Sequence, residues 1–440
     1  MLVKLPKEVG RIMGTLQQSG FEAYVVGECI SDSLAGKKPF GWDISTNARL
    51  ADMKKLFPDA KVLSEKFEVI RFEYIEEIVD KNGEVTGESG IIIDLAAYRA
   101  GDQYEQGRLL AADFVATVEE DLARRDFTIN AIAESQDSLM DPYDGRADIK
   151  NKLIRTVGDA GVRFREDPLR MIKALRLAAE LDFDLHKSVY DAIVSGHTML
   201  SDVNPSKIRD EFTGMLSAPA AGKGLSMLLG TGMIADIIGQ DAVDRLTKRE
   251  MQDLTTLSQN IDKTQPVEDR RLGLFFACMD KKKVRPAIDR LNFNEVTHQH
   301  LVDAVNDLPK LYFTNNKPAL KKFIYQRSME RYEFLLSMEK AQRRVFSYDS
   351  ETKIRSKIFM LDEIHKFGEP IFPEDLKIDA NDLIEAGICD RDKAQKILNM
   401  LTEEIHTHPK KNTREQLLKL AKVYSKNKVA AALRGIHWTR

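Results

Sequence analysis

The apolar residues of the first 150 positions follow two different spacings. From Pro6 to Gln18 and from Asn47 to Phe57 they recur every three or four residues, which predicts two helices, ended by Gly20 and by Pro58. Runs rich in β-branched and aromatic residues instead predict strands at Glu22–Val26, Val69–Ile75 and Ile91–Tyr98. Asn82-Gly83, between the last two runs, is typical of a tight turn. Together these elements predict a small antiparallel or mixed sheet with helices.

Beyond about residue 160 the helical spacing takes over and continues to the end of the chain, as in Pro168–Leu181 and Ile208–Leu216. Strand signals are few there, so we expect the remainder to be all-helical. The predicted fold class is therefore α+β, a mixed head followed by helical domains. Since the sequence has no Pro-, Ser- or Gly-rich linker, the boundaries follow the change of spacing alone, with predicted domains at 1–158, 159–240, 241–310 and 311–440.

Composition narrows the class of protein without identifying its function. Of the 440 residues, 43% are hydrophobic and 31% are charged, which is ordinary for a globular protein and excludes wholesale disorder. No stretch approaches the roughly 18 apolar residues of a membrane span, and the first residues lack the apolar core of a secretory signal, so we expect no membrane association. Cys29, Cys278 and Cys389 are odd in number and far apart, which fits neither a disulfide framework nor a zinc site and favours a reducing, cytoplasmic location.

The overall charge of −3 conceals a strongly basic segment at the end of the chain. Residues 410–440 carry nine basic side chains against Glu415 alone, a local charge of +8. A solvated helix face and a surface that follows RNA phosphates both fit this segment, and His437 and Trp438 close by favour the second. The residues that we expect to contact RNA are Lys410, Lys411, Arg414, Lys419, Lys422, Lys426 and Lys428.

A glycine turn and an acid follow one another near the N-terminus. The strand that ends at Val26 runs into Gly27 and Glu28, and Gly41-Trp42-Asp43 comes at the start of what we expect to be the next strand. A strand, a tight glycine turn and a helix, followed by a carboxylate on the next strand, place a phosphate-binding backbone beside a metal-binding acid. Taken alone, Asp43 is better explained as a turn or capping residue.

Two further blocks combine arginines with acids and an amide. Residues 124–131 read Arg-Arg-Asp-Phe-Thr-Ile-Asn-Ala, which fits the capped start of a helix or a nucleotide site with arginines beside a ribose-binding acid. In Glu166-Asp167-Pro168-Leu169-Arg170, Asp167 before a proline is a good helix N-cap. Asp167, Arg170 and Lys173 recur every third residue and share one helix face, which fits either a surface ion-pair ladder or a set of donors and acceptors for a ligand.

In this order and spacing, the three blocks resemble the class II tRNA nucleotidyltransferases, the family of CCA-adding enzymes and bacterial poly(A) polymerases. The likeness continues through Leu153–Asp159 and Ile208–Phe212 to Gly232-Met233, so it covers about the first 240 residues. The resemblance implies a head with the polymerase-β-like fold, followed by helical neck, body and tail domains that hold the acceptor arm of tRNA. It also implies a two-metal site, usually with Mg²⁺, at which the RNA 3′-hydroxyl attacks the α-phosphate of CTP or ATP and pyrophosphate leaves.

The resemblance assigns roles to particular positions of this chain. Asp43 and Asp94 would be the catalytic, metal-binding carboxylates. The nucleotide-binding residues implied by matching position are Gly27, Arg125, Asp126, Asn130, Glu166, Asp167, Arg170 and Lys173. Among these, Arg125, Asp126 and Asn130 would grip phosphate and ribose, and Glu166, Asp167 and Arg170 would recognise the base edge. The segment from Arg99 to Ala116 resembles the flexible loop through which CCA-adding members change from CTP to ATP.

The chain departs from the family pattern at the metal site. It has Gly27-Glu28 for Gly-Gly, Ser31-Asp32 for Arg-Asp and Gly41-Trp42-Asp43 for Asp-x-Asp, and Lys173 stands for an arginine. In one interpretation the chain is an active transferase in which Glu28 replaces the carboxylate missing at position 41 as a metal ligand. In another it is a catalytically inactive RNA-binding paralogue. A small-molecule nucleotidyltransferase ranks below both because it would need no basic helical tail. Addition of CCA, of CC, of A alone and of poly(A) all fit the resemblance.

Overall fold

A computed structural model describes residues 3–39, 41–79, 85–105, 108–346 and 351–426. The chain divides into two compact units, an N-terminal unit of Met1–Glu268 with Pro286–Phe293 and a C-terminal unit of Asp269–Arg285 with Asn294–Arg440. The domain boundaries at residues 158, 240 and 310 stay predictions.

The strands of the described chain lie in the N-terminal unit. In chain order they are β1 (Tyr24–Val26), β2 (Gly41–Thr46), β3 (Lys61–Ser64), β4 (Val69–Val79), β5 (Val85–Ala97), β6 (Arg99–Glu105), β7 (Arg108–Phe114), β8 (Ala133–Glu134), β9 (Leu139–Met140), β10 (Leu153–Ile154) and β11 (Asp184–Leu185). One seven-stranded sheet has the order β3-β4-β5-β2-β1-β8-β9, while β6 pairs with β7 and β10 with β11.

The register at the centre of the large sheet aligns three charged residues. Strands β2 and β5 run parallel with Asp43 opposite Asp94, and β4 and β5 run antiparallel with Arg71 opposite Asp94. Strand β1 is antiparallel to β2, with Val26 opposite Asp43. Residues in register on neighbouring strands project from the same face of a pleated sheet, so Arg71, Asp94 and Asp43 form a row. The prediction of a mixed sheet is confirmed.

Helices α1 and α7 follow the predicted spacing closely. The helices up to residue 260 are α1 (Lys7–Gln18), α2 (Glu28–Leu34), α3 (Leu50–Leu56), α4 (Val118–Ala123), α5 (Gly145–Asn151), α6 (Ala160–Glu166), α7 (Leu169–Leu181), α8 (Lys187–Gly196), α9 (Pro205–Ser217), α10 (Ala221–Gly230), α11 (Ile234–Ile238), α12 (Gln240–Asp244) and α13 (Lys248–Asn260). One face of α7 buries Met171, Leu175 and Ala178, and the helix ends at Asp182, which has a φ of 56°. This burial fixes the opposite face, with Arg170 and Lys173, in place.

The described elements of the C-terminal unit are helices joined by loops, and α15 is divided between the two units at Pro286. The helices beyond residue 260 are α14 (Glu268–Ala277), α15 (Lys281–Arg290), α16 (Glu295–Tyr312), α17 (Lys317–Tyr325), α18 (Met329–Phe346), α19 (Glu351–Lys366), α20 (Ala380–Glu385), α21 (Arg391–Thr407) and α22 (Arg414–Lys426). Leu417 and Ala421 of α22 are fully buried against a cluster that includes Leu383 and Leu401. The last described helix is therefore part of a core and not a free basic tail.

Several local predictions need correction. The expectation of an all-helical chain after residue 160 is wrong at β11, whose two residues pair with β10. No α-helix follows Asp126: Thr128–Asn130 form one 3-10 turn, because this short segment is packed under α5. The segment from Arg99 to Ala116 contains the paired strands β6 and β7, and its role in the change from CTP to ATP stays a prediction. The predicted turn at Asn82-Gly83 lies outside the described residues, as does Gly107.

Candidate active site

A cavity of about 760 Å³ in the N-terminal unit is lined by nearly all the site residues predicted from the sequence. The sheet contributes Asp43 and Asp94, and the turn into α2 contributes Gly27 and Glu28. The remaining predicted residues in its lining are Arg125, Asp126, Asn130, Asp167, Arg170 and Lys173. Segments separated by more than a hundred residues thus converge on one concave surface, which is typical of a ligand site.

Asp94 and Asp43, the two carboxylates of the row, lie close to other charged side chains. Arg71 donates through Nε to Oδ1 of Asp94 at 2.7 Å and through Nη2 to Oδ2 at 2.8 Å, which is a bidentate contact. No sequence motif indicated it. Burial raises the pKa of Asp43 to about 6; Asp94 and Glu28 add to this rise, while Arg125 opposes it. A raised pKa at a carboxylate beside another carboxylate means that a cation bound there would be favoured.

Gly27 allows the backbone to approach Asp43. Its φ is 84°, a conformation that side chains rarely adopt, and a Cβ built there would lie 3.0 Å from Oδ2 of Asp43 and 3.4 Å from Nη1 of Arg125. Any larger residue would press on both charged groups. The glycine therefore keeps open the corner of the cavity where β1 meets α2.

Arg125 forms an ion pair with a buried aspartate, Asp121. Its Nη2 donates to Oδ2 of Asp121 at 3.0 Å and to Oγ of Ser45 at 3.2 Å, and Nη2 of Arg124 donates to Oδ1 of Asp121 at 2.7 Å. Asp121 is completely buried. Although burial alone would raise the pKa of this carboxyl, Arg125 and Arg124 hold it at about 2. Asp121 precedes Arg125 by one helical turn, and that spacing is the only signal in the sequence that marks it.

Lys173 joins the second and third sequence blocks. Its Nζ lies 2.6 Å from Oδ2 of Asp126 and 3.1 Å from Oε1 of Glu28. Burial would lower the pKa of Lys173, but the two carboxylates raise it, so the ammonium form is secured. Asp126 also accepts from Nδ2 of Asn130 at 3.4 Å, and Asn130 accepts from Oγ of Ser31 at 3.1 Å. The predicted phosphate and ribose residues are thus one hydrogen-bonded network.

Glu28 points toward α7. Its Oε1 accepts from Nη2 of Arg176 at 3.1 Å and forms an ion pair with Nζ of Lys173, also at 3.1 Å. Burial raises the pKa of Glu28, but these two cations outweigh burial and leave it lowered. Arg176 also donates to Oε2 of Glu211 at 2.6 Å and to Oε2 of Glu180 at 2.7 Å. Arg176 and Glu211 were not predicted, because their roles depend on contacts between distant segments.

Arg170 is fixed by its neighbours on α6. Its Nη1 donates to Oε2 of Glu166 at 3.0 Å and to the carbonyl oxygen of Arg163 at 3.3 Å, and its side chain is only 11% exposed. The N-cap of α7 is Pro168 and not Asp167 as predicted, but Oδ1 of Asp167 accepts from the backbone N–H of Leu169, the first residue of α7, at 3.1 Å. Because Asp167, Arg170 and Lys173 all line the cavity, they are not a ladder on open surface.

The donor set fits one divalent cation of the Mg²⁺ type. Mg²⁺ is usually held by one or two carboxylates together with substrate phosphates, and Asp43 and Asp94 are two neighbouring carboxylates on one cavity wall. Gly41, two residues before Asp43 on the same strand, contributes no donor. Within the described part of the chain, no group of three or more His, Cys, Asp or Glu side chains is arranged to hold a metal ion.

The basic residues of the C-terminal unit are only partly described. Lys410, Lys419 and Lys422 are exposed, whereas Lys411 and Arg414 have acidic partners. Lys411 Nζ lies 3.5 Å from Glu404, and Arg414 Nη2 donates to Asp382 at 2.7 Å. Lys426 ends α22, and Lys428 lies outside the described residues.

None of the helices that the structure describes is long and apolar enough to cross a membrane.

Comparison with known sequences places the head in a defined family. The family model of the poly(A) polymerase head domain matches residues 23–155. The CCA-adding enzyme of Geobacillus sp. (strain WCH70) is 35% identical over 224 residues, which cover 50% of this chain and 52% of that protein. Poly(A) polymerase I of Haemophilus influenzae is 32% identical over 229 residues, or 51% of this chain and 50% of that protein. The matches thus span about half the length of these relatives.

Comparison with solved structures extends the likeness of fold to nearly the whole chain. The crystal structure of the Bacillus stearothermophilus CCA-adding enzyme in complex with CTP has a TM-score of 0.72 at 24% identity, covering 96% of this chain and 98% of that one. The Thermotoga maritima CCA-adding enzyme complexed with tRNA has a TM-score of 0.62 at 20% identity, with 96% of each chain covered. Residues 23–155 therefore match the poly(A) polymerase head domain, and about half of the chain is similar in sequence to CCA-adding enzymes and bacterial poly(A) polymerases.

Proposed function

We propose that this protein is an RNA 3′-end nucleotidyltransferase that adds C or A from CTP or ATP to the acceptor arm of tRNA without a nucleic-acid template. The observation that supports this most strongly is that Asp43 and Asp94 lie side by side in the cavity that also holds the network of Arg125, Asp126 and Lys173. In the reaction the RNA 3′-hydroxyl gives up its proton to solvent, its oxygen bonds to the α-phosphate, and the bond from that phosphate to pyrophosphate breaks. Mg²⁺ at Asp43 and Asp94, when bound, would supply Lewis-acid stabilisation of the phosphate oxygens.

Other residues of this chain would bind the phosphates, the ribose and the base of the nucleotide. The Gly27 turn keeps the corner beside Asp43 open to the phosphates, and Arg125 places positive charge next to it. Asp126 and Asn130 offer an acceptor and an amide to the ribose hydroxyls, in a position that Lys173 fixes. Each of these groups is already oriented by a partner, so little rearrangement is needed when a nucleotide binds.

Base selection would rest on Asp167 and Arg170. Both side chains line the cavity, and a guanidinium and a carboxylate can pair with the donor and acceptor edges of cytosine and adenine. Glu166 holds the guanidinium of Arg170 at 3.0 Å and thereby limits its orientation. A protein group that is fixed in this way can replace a template base as the source of selectivity.

A second candidate function is an RNA-binding paralogue with impaired transfer, and two observations favour it. Gly41 leaves the row without a third carboxylate. The ion pairs of Glu28 with Lys173 and Arg176 favour the interpretation in which this carboxylate is not a relocated metal ligand, and its negative charge would oppose a triphosphate.

The test is primer extension. Pure protein is incubated with tRNA that lacks its 3′ end, with each of the four nucleotides singly and in mixtures, and with Mg²⁺ or Mn²⁺. The proposal predicts single-nucleotide extension with CTP, ATP or both and none with GTP or UTP. No extension under any condition, while tRNA still binds, would establish the paralogue instead.

The location that we propose is the cytoplasm. Processing of tRNA and the three free cysteines are consistent with it.

A further inference from the structure

The row of Asp43 and Asp94 also contains a positively charged side chain, that of Arg71. Arg71 on β4 faces Asp94 on β5, and Asp94 faces Asp43 on β2, so the guanidinium and the two carboxylates lie on one face of the sheet. All three residues line the cavity. The side chains of Arg71 and Asp94 are 30% and 26% exposed, so the pair can be reached from the cavity.

The contact between Arg71 and Asp94 uses both carboxylate oxygens. Nε donates to Oδ1 at 2.7 Å and Nη2 donates to Oδ2 at 2.8 Å, the geometry in which a guanidinium binds a carboxylate most firmly. Arginine keeps its charge at any ordinary pH, so this cation is permanent. A divalent ion that bound Asp94 would have to share the carboxylate with it.

The charges of the row leave room for one divalent ion. A site that clamps two divalent ions shares carboxylates between them. Here Gly41 supplies none, and the side chain of Asp94 is already paired. The guanidinium of Arg125 adds further positive charge near Asp43, since a Cβ built at Gly27 would lie 3.0 Å from Oδ2 of Asp43 and 3.4 Å from Nη1 of Arg125. Two carboxylates with two guanidinium groups beside them attract a first divalent ion less strongly than two unpaired carboxylates would, and they disfavour a second.

We propose that Arg71 supplies at Asp94 the positive charge that a second divalent ion would otherwise supply, so that this chain works with a single ion at Asp43 and Asp94. This inference deepens the proposed function and rests on it. Arg71 is a positioning residue in this scheme: it neutralises Asp94 and holds its orientation. Its immediate consequence does not involve RNA or nucleotide, since Arg71 must weaken the binding of divalent ions to the row itself.

A second pair in the same unit provides a matched control. Arg49 donates through Nε to Oε2 of Glu68 and through Nη2 to Oε1, both at 2.7 Å, in the same two-pronged geometry. Neither residue belongs to the described lining of the cavity. If loss of any such pair altered ion binding by loosening the fold, Arg49→Met would show it.

The experiment is titration of the full chain with Mn²⁺ alone, with bound and free ion distinguished by electron paramagnetic resonance. The variants are Arg71→Met, Arg71→Gln, Arg71→Lys and Arg49→Met, each checked for an unchanged melting profile. We expect the two neutral variants at position 71 to bind Mn²⁺ about tenfold more tightly than the wild type, because a cation is removed and a carboxylate is released. Arg71→Lys and Arg49→Met should bind as the wild type does.

Two outcomes would overturn the inference. One is Mn²⁺ affinity unchanged in both neutral variants, which would make the Arg71 pair purely structural. The other is tightening in Arg71→Lys equal to that in Arg71→Met, which would show that the charge is not what matters. Failure of the proposed function appears elsewhere, as absent primer extension, and the two failures are therefore distinguishable.

Discussion

Nζ of Lys173 lies 2.6 Å from Oδ2 of Asp126, a contact that joins the start of α7 to a segment 47 residues earlier in the chain. Asp126 in turn receives the amide of Asn130, and Lys173 also holds Glu28. This lysine is thus the point at which the turn after β1, the block at 124–131 and the face of α7 are connected.

Replacing Lys173 with methionine should therefore weaken nucleotide binding. The change leaves the carboxylates of Asp126 and Glu28 without their shared cation, so both would repel a triphosphate. We expect affinity for CTP to fall about ten- to a hundredfold, measured by calorimetry, with Lys173→Arg close to the wild type. Lys223→Met is the matched control, since Lys223 also bridges two carboxylates, those of Asp182 and Asp184, at 2.7 and 3.2 Å. Equal losses in both methionine variants would contradict a specific role for Lys173.

Arg170→Ala should reduce discrimination between nucleotides without abolishing tRNA binding. The guanidinium that Glu166 orients would be lost, and with it the donors proposed to select cytosine and adenine. Binding isotherms for CTP, ATP, GTP and UTP should converge in the variant. Arg170→Lys keeps the charge but loses the planar guanidinium and its paired N–H donors, so this variant should also lose selectivity. Four isotherms that are the same before and after the change would reduce Arg170 to a structural role.

Asp121 should make the folded state sensitive to acid. Its pKa is about 2 in the folded state, against 3.8 for an unperturbed aspartate, so its contribution to stability is complete above about pH 4 and is lost as the pH falls toward 2. The shift corresponds to roughly 2 kcal/mol of the free energy of unfolding. Asp121→Asn should show a smaller loss of stability between pH 5 and pH 2, measured by urea unfolding. Ser45→Ala removes a hydroxyl that donates to Asp121 at 3.2 Å but keeps the acid, so it should retain the loss. A pH dependence that is the same in Asp121→Asn and in the wild type would refute this assignment.

Neutralising exposed lysines of the C-terminal unit should weaken tRNA binding in a salt-dependent way. Because α22 buries Leu417 and Ala421, deletion of this segment would damage a core, so the test uses substitutions. The variant combines Lys410→Gln, Lys419→Gln and Lys422→Gln, all at exposed positions. If each lysine neutralises one phosphate, the slope of log affinity against log salt should flatten by roughly 2 to 3. The control is a variant with Lys7→Gln, Lys55→Gln and Lys61→Gln in the N-terminal unit, also exposed, and a similar flattening there would mean that binding is nonspecific.

Local patterns predicted the elements that carry the site, but not the contacts between them. The strand before Gly27, the strand of Asp94 and the helix after Pro168 were visible because their spacing and turn residues are local signals. Arg71 acquires its role only through the register of β4 against β5, which no local pattern specifies. The partner of Glu28, Arg176, lies 148 residues further along the chain. The 3-10 turn at 128–130 was missed because burial there outweighs its apolar, helix-like composition.

The central claim is that Asp43 and Asp94 form a working transfer site despite Gly41. The most direct measurement is the single-turnover rate of CMP or AMP addition to tRNA lacking its 3′ end, compared between the wild type, Asp43→Asn and Gly41→Asp, with tRNA affinity measured in parallel. The account predicts measurable extension by the wild type, its loss by at least about a hundredfold in Asp43→Asn and unchanged tRNA affinity in all three. Absence of extension by the wild type, with tRNA still bound and activity appearing only in Gly41→Asp, would contradict it.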